Sequence, residues 1–185
     1  VMARVLVPLA QGCEELEAVT VIDLLRRAGI DVVTAGLDDR TVTASRGVRL
    51  IPDTALADVM EEDFDMIVLP GGLPGAEHLD ADARIHALLT SMSESGRFTA
   101  AICAAPKVLA TAGLLEGKSA TSYPGIIDAM ELETTKVLED PVVIDGKIVT
   151  SRGPGTAMDF ALALIEQLAG REKSREVEEA LVRPA

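Results

Sequence analysis

The chain has 185 residues, of which 48% are hydrophobic and 25% charged, as is usual for a globular domain with a substantial core. Its 17 basic and 30 acidic residues give a net charge of -13, which opposes binding to phosphate backbones and anionic membranes. With no Trp, one Tyr and three Phe there is also little to stack on bases, so we expect neither a nucleic-acid nor a membrane partner.

The predicted elements alternate between strand and helix. Short apolar runs indicate strands, and apolar residues at i, i+3, i+4 and i+7 indicate helices. The first half predicts a strand at Val5–Leu9, a helix at Glu15–Ala28 closed by Gly29, a strand at Asp31–Ala35, a hairpin or excursion at Thr41–Ile51, a strand at Met66–Leu69 and a helix capped by Asp80. The second half predicts a strand at Phe98–Ile102, a helix from Pro106, a strand at Ala120–Ser122, a hairpin of Val142–Ile144 and Ile148–Thr150, a helix capped by Thr156 and a terminal helix at Glu172–Leu181.

This alternation predicts an α/β fold with a mostly parallel sheet covered on both faces. No repeat or linker divides the chain, so we expect residues 1–185 to form a single domain. Two cysteines without a Cys-x-x-Cys motif favour a reducing compartment over a secreted disulfide scaffold. The apolar run at residues 3–10 is too short for a membrane span or signal peptide, and we expect a cytoplasmic protein.

Cys103 is the candidate nucleophile. It ends the predicted strand at Phe98–Ile102 and is followed by small residues and a predicted helix, the pattern of a nucleophile elbow. A helix N-terminus beside the sulfur favours the reactive thiolate. A buried cysteine that packs as a small hydrophobe explains the same sequence, so both interpretations stay open at this point.

Other candidate groups follow the carboxyl ends of predicted strands, where ligands bind in open α/β sheets. Glu17 lies on the inward face of the first predicted helix, where a raised pKa would make it an acid/base beside the thiol. A first-turn acid that complements the helix dipole is the simpler interpretation. Gly71 and Gly72 form either a plain turn or an oxyanion hole of backbone N–H groups.

The remaining candidates are weaker. His78 and His86 lie in a polar loop and on a helix flank, and neither they nor the cysteines show metal-ligand spacing, so we expect no metal. Cys13, beside the acidic residues, is either a second redox thiol or a buried spacer.

Four segments together resemble the ThiJ/PfpI superfamily, in the subgroup of YajL and the Parkinsonism-associated human deglycase. They are residues 12–17, 69–72, 100–106 and 150–156, which follow the family's order over nearly the whole chain. The resemblance implies a flavodoxin-like three-layer sandwich that pairs as a homodimer. It also implies that Cys103 is the nucleophile and Glu17 its partner, and that neither a metal nor an organic cofactor is needed.

The resemblance further implies that Gly71, Gly72 and the Ala104 backbone bind an oxyanion. Arg46 and Arg152 match family arginines near the site. One departure is Tyr123, which stands where the human protein has a histidine before a proline. Tyrosine can hydrogen-bond a substrate oxygen but is a poor base at neutral pH, which leaves proton transfer to the glutamate.

Two functions are implied. The first is a glutathione-independent glyoxalase acting on 2-oxoaldehydes such as methylglyoxal to give lactate, with protein deglycation of glycated groups as a related activity. The alternative is a peroxide-sensing redox protein and holdase chaperone in which Cys103 is oxidised to sulfinic acid. Peptidase and amidase activities are disfavoured because Ala104, and not a histidine, follows the cysteine.

Overall fold

The structure is a computed structural model that describes residues 2–185. Its strands and helices are, in chain order, β1 (Arg4–Leu9), α1 (Glu15–Arg27), β2 (Asp31–Gly36), β3 (Val42–Thr43), β4 (Arg49–Leu50), β5 (Thr54–Ala55), β6 (Met66–Leu69), α2 (Leu73–Ala81), α3 (Ala83–Glu94), β7 (Phe98–Ile102), α4 (Pro106–Thr111), β8 (Ser119–Ala120), β9 (Lys136–Val137), β10 (Val142–Asp145), β11 (Ile148–Ser151), α5 (Ala157–Ala169) and α6 (Arg171–Ala180).

A seven-stranded sheet forms the middle of the molecule, in the order β10-β11-β7-β6-β1-β2-β5. Neighbouring strands are parallel except β10 and β11, which pair antiparallel as the predicted hairpin. The predicted α/β fold with a mostly parallel sheet is therefore confirmed. Because β6 lies between β1 and β7, the segments that follow these three strands meet at one edge of the sheet.

Helices cover both faces of the sheet, which gives the predicted three layers. Alternation along β1 sends Val5, Val7 and Leu9 to one core and Leu6 to the other. The first core packs against α1, α5 and α6, and the second against α2, α3 and α4. Within residues 2–185, no helix has the length and apolar character needed to cross a membrane.

The predicted helix start at Asp80 is wrong. Asp80 lies inside α2, which already begins at Leu73 with Pro74 in its first turn, a position where proline is favoured. The helical conformation is interrupted at Asp82, whose backbone is extended. The side chain of Asp82 caps α3 by accepting a hydrogen bond from the N–H of Arg84. The glycines around Pro74 made this segment resemble a simple turn.

The strand predicted at Ala120–Ser122 is also displaced. It is shortened to β8, which pairs with β9 in a separate two-stranded ladder outside the main sheet. Thr121 follows β8 and lies outside that ladder. Its N–H donates to the side-chain oxygen of Thr150 on β11 (2.9 Å). The segment that carries Tyr123 is therefore held beside the end of β11 without belonging to the sheet.

Candidate active site

Cys103 occupies a strained turn between β7 and α4. Its φ of 66° places a non-glycine residue in the left-handed region, which is uncommon away from functional turns. Its N–H donates to the carbonyl of Ser151 (3.0 Å), and its carbonyl accepts from the N–H of Tyr123 (2.8 Å). The side chain is 9% exposed. This is the strand–cysteine–helix geometry of the predicted elbow, although α4 is only 6 residues long.

Glu17 reaches the same point from the first turn of α1. It lies on the inward face of that helix, as predicted, and is fully buried. Its Oε1 accepts from the N–H of Gly71 (3.0 Å), whereas Oε2 has no hydrogen-bond partner within residues 2–185. Glu14 fixes this turn, because its carboxylate accepts from the N–H of Glu17 (3.1 Å) and its own N–H donates to the carbonyl of Gly71 (2.9 Å).

The two glycines after β6 allow the elbow and α1 to approach each other. A Cβ on Gly71 would lie 2.6 Å from the Cβ of Cys103 and 2.7 Å from Oε1 of Glu17. Gly72 has a φ of 86°, and a Cβ there would lie 2.6 Å from the carbonyl oxygen of Gly12. A side chain at Gly71 would separate the thiol from the carboxyl group, and one at Gly72 would press against the backbone that leads into α1.

The structure changes the predicted role of Gly71. Its N–H is occupied by Glu17 and is not free to bind a substrate oxyanion. The N–H groups that face the sulfur are those of Gly72 and Ala104, which favour a negative charge there. Gly71 therefore positions the carboxyl group, and the predicted oxyanion role is left to Gly72 and Ala104.

The two ionisable groups share a desolvated environment. Burial raises the pKa of Glu17 to about 7, although its contacts with Cys103 and Gly71 oppose the shift. Burial, followed by the charge of Glu17, raises the pKa of the Cys103 thiol to about 12. The expected effect of the helix N-terminus is thus outweighed, because burial and the charge of Glu17 both favour the neutral thiol of Cys103. The pair loses its first proton near neutral pH.

Cys103 and Ala104 open into a cavity of about 490 Å³. Tyr123 lines it, as the sequence led us to expect, and so does Arg46. The Arg46 backbone N–H is held by the carboxylate of Glu15 (3.0 Å). The rest of the lining consists of Glu14, Ser45, Gly72, Leu73, Pro74, Pro124, Ile126 and Pro154.

Most of the apolar lining was missed by sequence reasoning. Leu73 and Pro74 belong to the start of α2, in a segment whose glycines predict a turn, and Ile126 lies in a loop without a periodic signal. Pro154 offered a signal, because it belongs to the last segment of the family resemblance. Arg152 is not part of this lining; its Nε donates to the carbonyl of Ser122 (3.2 Å), so it supports the segment that carries Tyr123.

Cys13 and the histidines lie apart from this cavity. Cys13 is 1% exposed, and burial raises its pKa to about 12. A Cβ on Gly75 would lie 2.7 Å from the Cα of Cys13, so the residue packs tightly against α2 as a spacer would. His86 hydrogen-bonds to Asp80 (3.1 Å to Oδ1), and His78 lies beside a separate cleft. Residues 2–185 contain no cluster of His, Cys, Asp and Glu that could hold a metal ion.

Comparisons with known proteins identify the family of this chain. The family model described as "DJ-1/PfpI family" matches residues 3–167. The chain is 47% and 48% identical to Protein DJ-1 homologs A and B of Arabidopsis thaliana over 96% and 97% of its length, but it spans only 46% and 41% of those relatives. It is 40% identical to the "Glutathione-independent glyoxalase DJR-1.2" of Caenorhabditis elegans, over 93% of this chain and 91% of that relative.

The solved structures give the same result. The crystal structure of DJ-1beta from Drosophila melanogaster superposes with a TM-score of 0.95 at 45% sequence identity. The match covers 100% of both chains. This protein therefore belongs to the DJ-1/PfpI family.

Proposed function

We propose that this protein is a cysteine-dependent, glutathione-independent glyoxalase that converts 2-oxoaldehydes such as methylglyoxal into 2-hydroxy acids. The observation that carries the proposal is the contact between the Cys103 thiol and a buried carboxyl group, that of Glu17, whose pKa is raised to about 7. A nucleophile with an acid/base group poised near the working pH suits a reaction that adds to a carbonyl and then moves protons.

The proposed reaction needs no external oxidant. As the Glu17 carboxylate takes the thiol proton, the sulfur bonds to the aldehyde carbon, and the C=O electron pair goes to an oxygen facing the N–H groups of Gly72 and Ala104. Glu17 returns the proton it took from the thiol to that oxygen, which gives a hemithioacetal and restores the carboxylate. Glu17 then moves a proton from this carbon to the neighbouring ketone carbon while the hydroxyl proton passes to the ketone oxygen, so that one carbon is oxidised to a thioester and the other reduced to an alcohol. Water cleaves the thioester, releasing the hydroxy acid and the thiol.

The name of the Caenorhabditis elegans relative supports this proposal, because that protein is called a glutathione-independent glyoxalase and matches this chain almost end to end. The same addition step suits aldehyde-derived groups on glycated proteins, which we propose as a second substrate class. Besides the substrate, the proposed reaction uses only groups of this chain and water.

The test is lactate formation from methylglyoxal by the purified protein without glutathione. We expect the wild type to form lactate and Cys103→Ser to form none above background. Glu17→Gln should be at least about 100-fold slower, because general acid–base catalysis contributes 10²–10⁴-fold. Cys13→Ala is the matched control and should keep the wild-type rate, since Cys13 does not line the cavity. Equal lactate formation by wild type and Cys103→Ser would reject the proposal.

The second candidate function is peroxide sensing coupled to a holdase activity. It is favoured by one observation, the buried Oε2 of Glu17 without a hydrogen-bond partner in the described chain. When protonated, that oxygen could donate to a sulfinate on Cys103, which the N–H groups of Gly72 and Ala104 also face. Each of the two added oxygens would come from one hydrogen peroxide, which leaves as water.

Mild peroxide followed by intact-mass and peptide mass analysis tests this candidate. We expect two oxygen atoms on Cys103 and none on the buried Cys13. Oxygen uptake confined to Cys13 would contradict the assignment. Protection of an unfolding client protein by the oxidised form, and not by the reduced form, would add the holdase activity.

We also propose that two copies of the chain pair. Leu16 and Val19 are exposed one turn apart on α1, and the hairpin of β3 and β4 beside them exposes Val48. The carboxylate of Glu15 ties this hairpin to α1 by accepting from the N–H of Val48 (3.2 Å). An apolar surface assembled from adjacent elements is typical of an interface, and a symmetric pair covers it on both copies.

A further inference from the structure

The cavity above Cys103 has a predominantly apolar wall. Three separate segments of the chain supply it: the start of α2, the segment after β8, and the turn before α5. The apolar lining side chains are Leu73, Pro74, Tyr123, Pro124, Ile126 and Pro154. Charged groups in the lining are limited to Glu14 and Arg46, and the carboxylate of Glu14 is already engaged at the first turn of α1.

This wall is larger than methylglyoxal requires. The cavity volume of about 490 Å³ falls in the range in which pockets bury drug-sized ligands, about 300–1,000 Å³. Methylglyoxal bound to Cys103 would cover the sulfur and leave most of the apolar wall in contact with water. A larger apolar group on the ketone carbon would extend from the sulfur along that wall and remove it from water.

The backbone of Tyr123 is anchored beside Cys103. Its N–H donates to the carbonyl of Cys103 (2.8 Å), which ties its backbone to the elbow. Its ring lies against Gly153, where a Cβ would come within 3.2 Å of Cδ2 of the ring. The side chain is nevertheless 50% exposed, so the ring has a free surface next to the cavity. Flat groups stack favourably on such a ring.

From these observations we infer that the site takes 2-oxoaldehydes whose ketone carbon carries an aryl or bulky alkyl group, and that Tyr123 sets this preference. The inference rests on the proposed glyoxalase activity and specifies its substrate class. In this arrangement Cys103 and Glu17 act on the dicarbonyl, while the Tyr123 ring binds the substituent.

The experiment compares kcat/KM for phenylglyoxal and methylglyoxal, from initial rates of mandelate and lactate formation without glutathione. We expect the wild type to favour phenylglyoxal by at least about tenfold, the lower end of what one added methylene contributes in an apolar pocket. Tyr123→Ala should reduce this ratio at least about fivefold. Tyr123→Phe should keep it, because the ring and not the hydroxyl binds the substituent. Ile144→Ala, an exposed apolar position on β10 outside the cavity, is the matched control.

Each outcome has a distinct meaning. A wild-type ratio at or below one, or an unchanged ratio in Tyr123→Ala, overturns the inference while methylglyoxal turnover leaves the glyoxalase proposal standing. A ratio that falls equally in Tyr123→Ala and Tyr123→Phe assigns the preference to the hydroxyl and also overturns it. If the wild type forms neither hydroxy acid, the glyoxalase proposal and the inference fail together.

Discussion

The chemistry proposed for the candidate site depends on one proton shared between two buried side chains. Glu17 is fully buried and Cys103 is 9% exposed, so solvent stabilises neither charge well. Once one proton has left the pair, the other can sit on the sulfur or on the carboxyl group. In the reactive form the sulfur is charged and the carboxyl group is protonated. Among molecules that have lost one proton, the fraction in this form does not change with pH until the second proton leaves.

The alkylation rate of Cys103 should therefore titrate with the first proton of the pair. In the wild type we expect the rate of reaction with iodoacetamide to rise with a midpoint near the pKa of Glu17, about 7. In Glu17→Gln the midpoint should move to higher pH, because the thiol remains desolvated and has lost the acid that shares its proton. Glu94→Gln, on the exposed face of α3, should leave the midpoint unchanged. A midpoint unaltered in Glu17→Gln would show that the two groups do not share a proton.

The same carboxyl group makes the stability of the fold depend on pH. Its pKa rises from 4.5 to about 7 on folding, so the folded chain holds the proton more tightly. The stability that the bound proton contributes is fully present below pH 4.5 and is lost as the pH rises through 7. The amide in Glu17→Gln has no proton to lose. The free energy of unfolding of this variant minus that of the wild type should therefore increase by about 3 kcal/mol, at most, between pH 5 and pH 8. Urea unfolding at the two pH values measures this, and an equal difference at both would contradict the assignment.

At the scale of the elements, close approach of backbone segments makes the site. The segments after β1, β6 and β7 meet because these strands are neighbours, and Gly71 leaves no side chain between the elbow and α1. The turn after β6 is thus a spacer of minimum size, and the distance between thiol and carboxyl depends on it.

Gly71→Ala should accordingly damage the site more than the fold. Its Cβ would be 2.6 Å from the Cβ of Cys103, so the elbow or α1 must shift. We expect at least about a 100-fold loss of lactate formation, because small misplacements of reacting groups have effects of this size. Gly155→Ala is the matched control, since nothing lies within 4 Å of the Cβ it would add. Wild-type turnover by Gly71→Ala would show that this approach is not needed.

The features that could be predicted from the sequence are those with strong local signals. The sheet, both hairpins and the inward position of Glu17 came from periodicity and turn residues, which act over a few neighbours. The roles of Gly71 and Arg152 could not be predicted, because each depends on a hydrogen bond to a partner far along the chain. The raised pKa of Cys103 was missed for a related reason, since desolvation depends on packing that only the assembled fold supplies.

At the scale of the whole molecule, the exposed apolar surface of α1 and its hairpin predicts pairing. We expect sedimentation velocity to show a dimer for the wild type and a monomer for Leu16→Asp, because the symmetric contact would bury that charge on both copies. Ile144→Asp is the control; Ile144 is 46% exposed but lies on β10, the opposite edge of the sheet from the hairpin side. A monomeric wild type, or a dimer in Leu16→Asp, would contradict the proposed pairing.

Because Cys103 lies where the ends of three strands meet, the reactivity of its sulfur also reports the progress of folding. Glu17, Gly71 and Cys103 are far apart in the chain, and they come together only when β1, β6 and β7 lie side by side. Contacts of such long range are typically among the later ones to form, because loop closure precedes them. Brief pulses of an alkylating reagent during refolding at pH 7, with the modified cysteine identified by peptide mass analysis to separate Cys103 from Cys13, would therefore report when the middle of the sheet assembles.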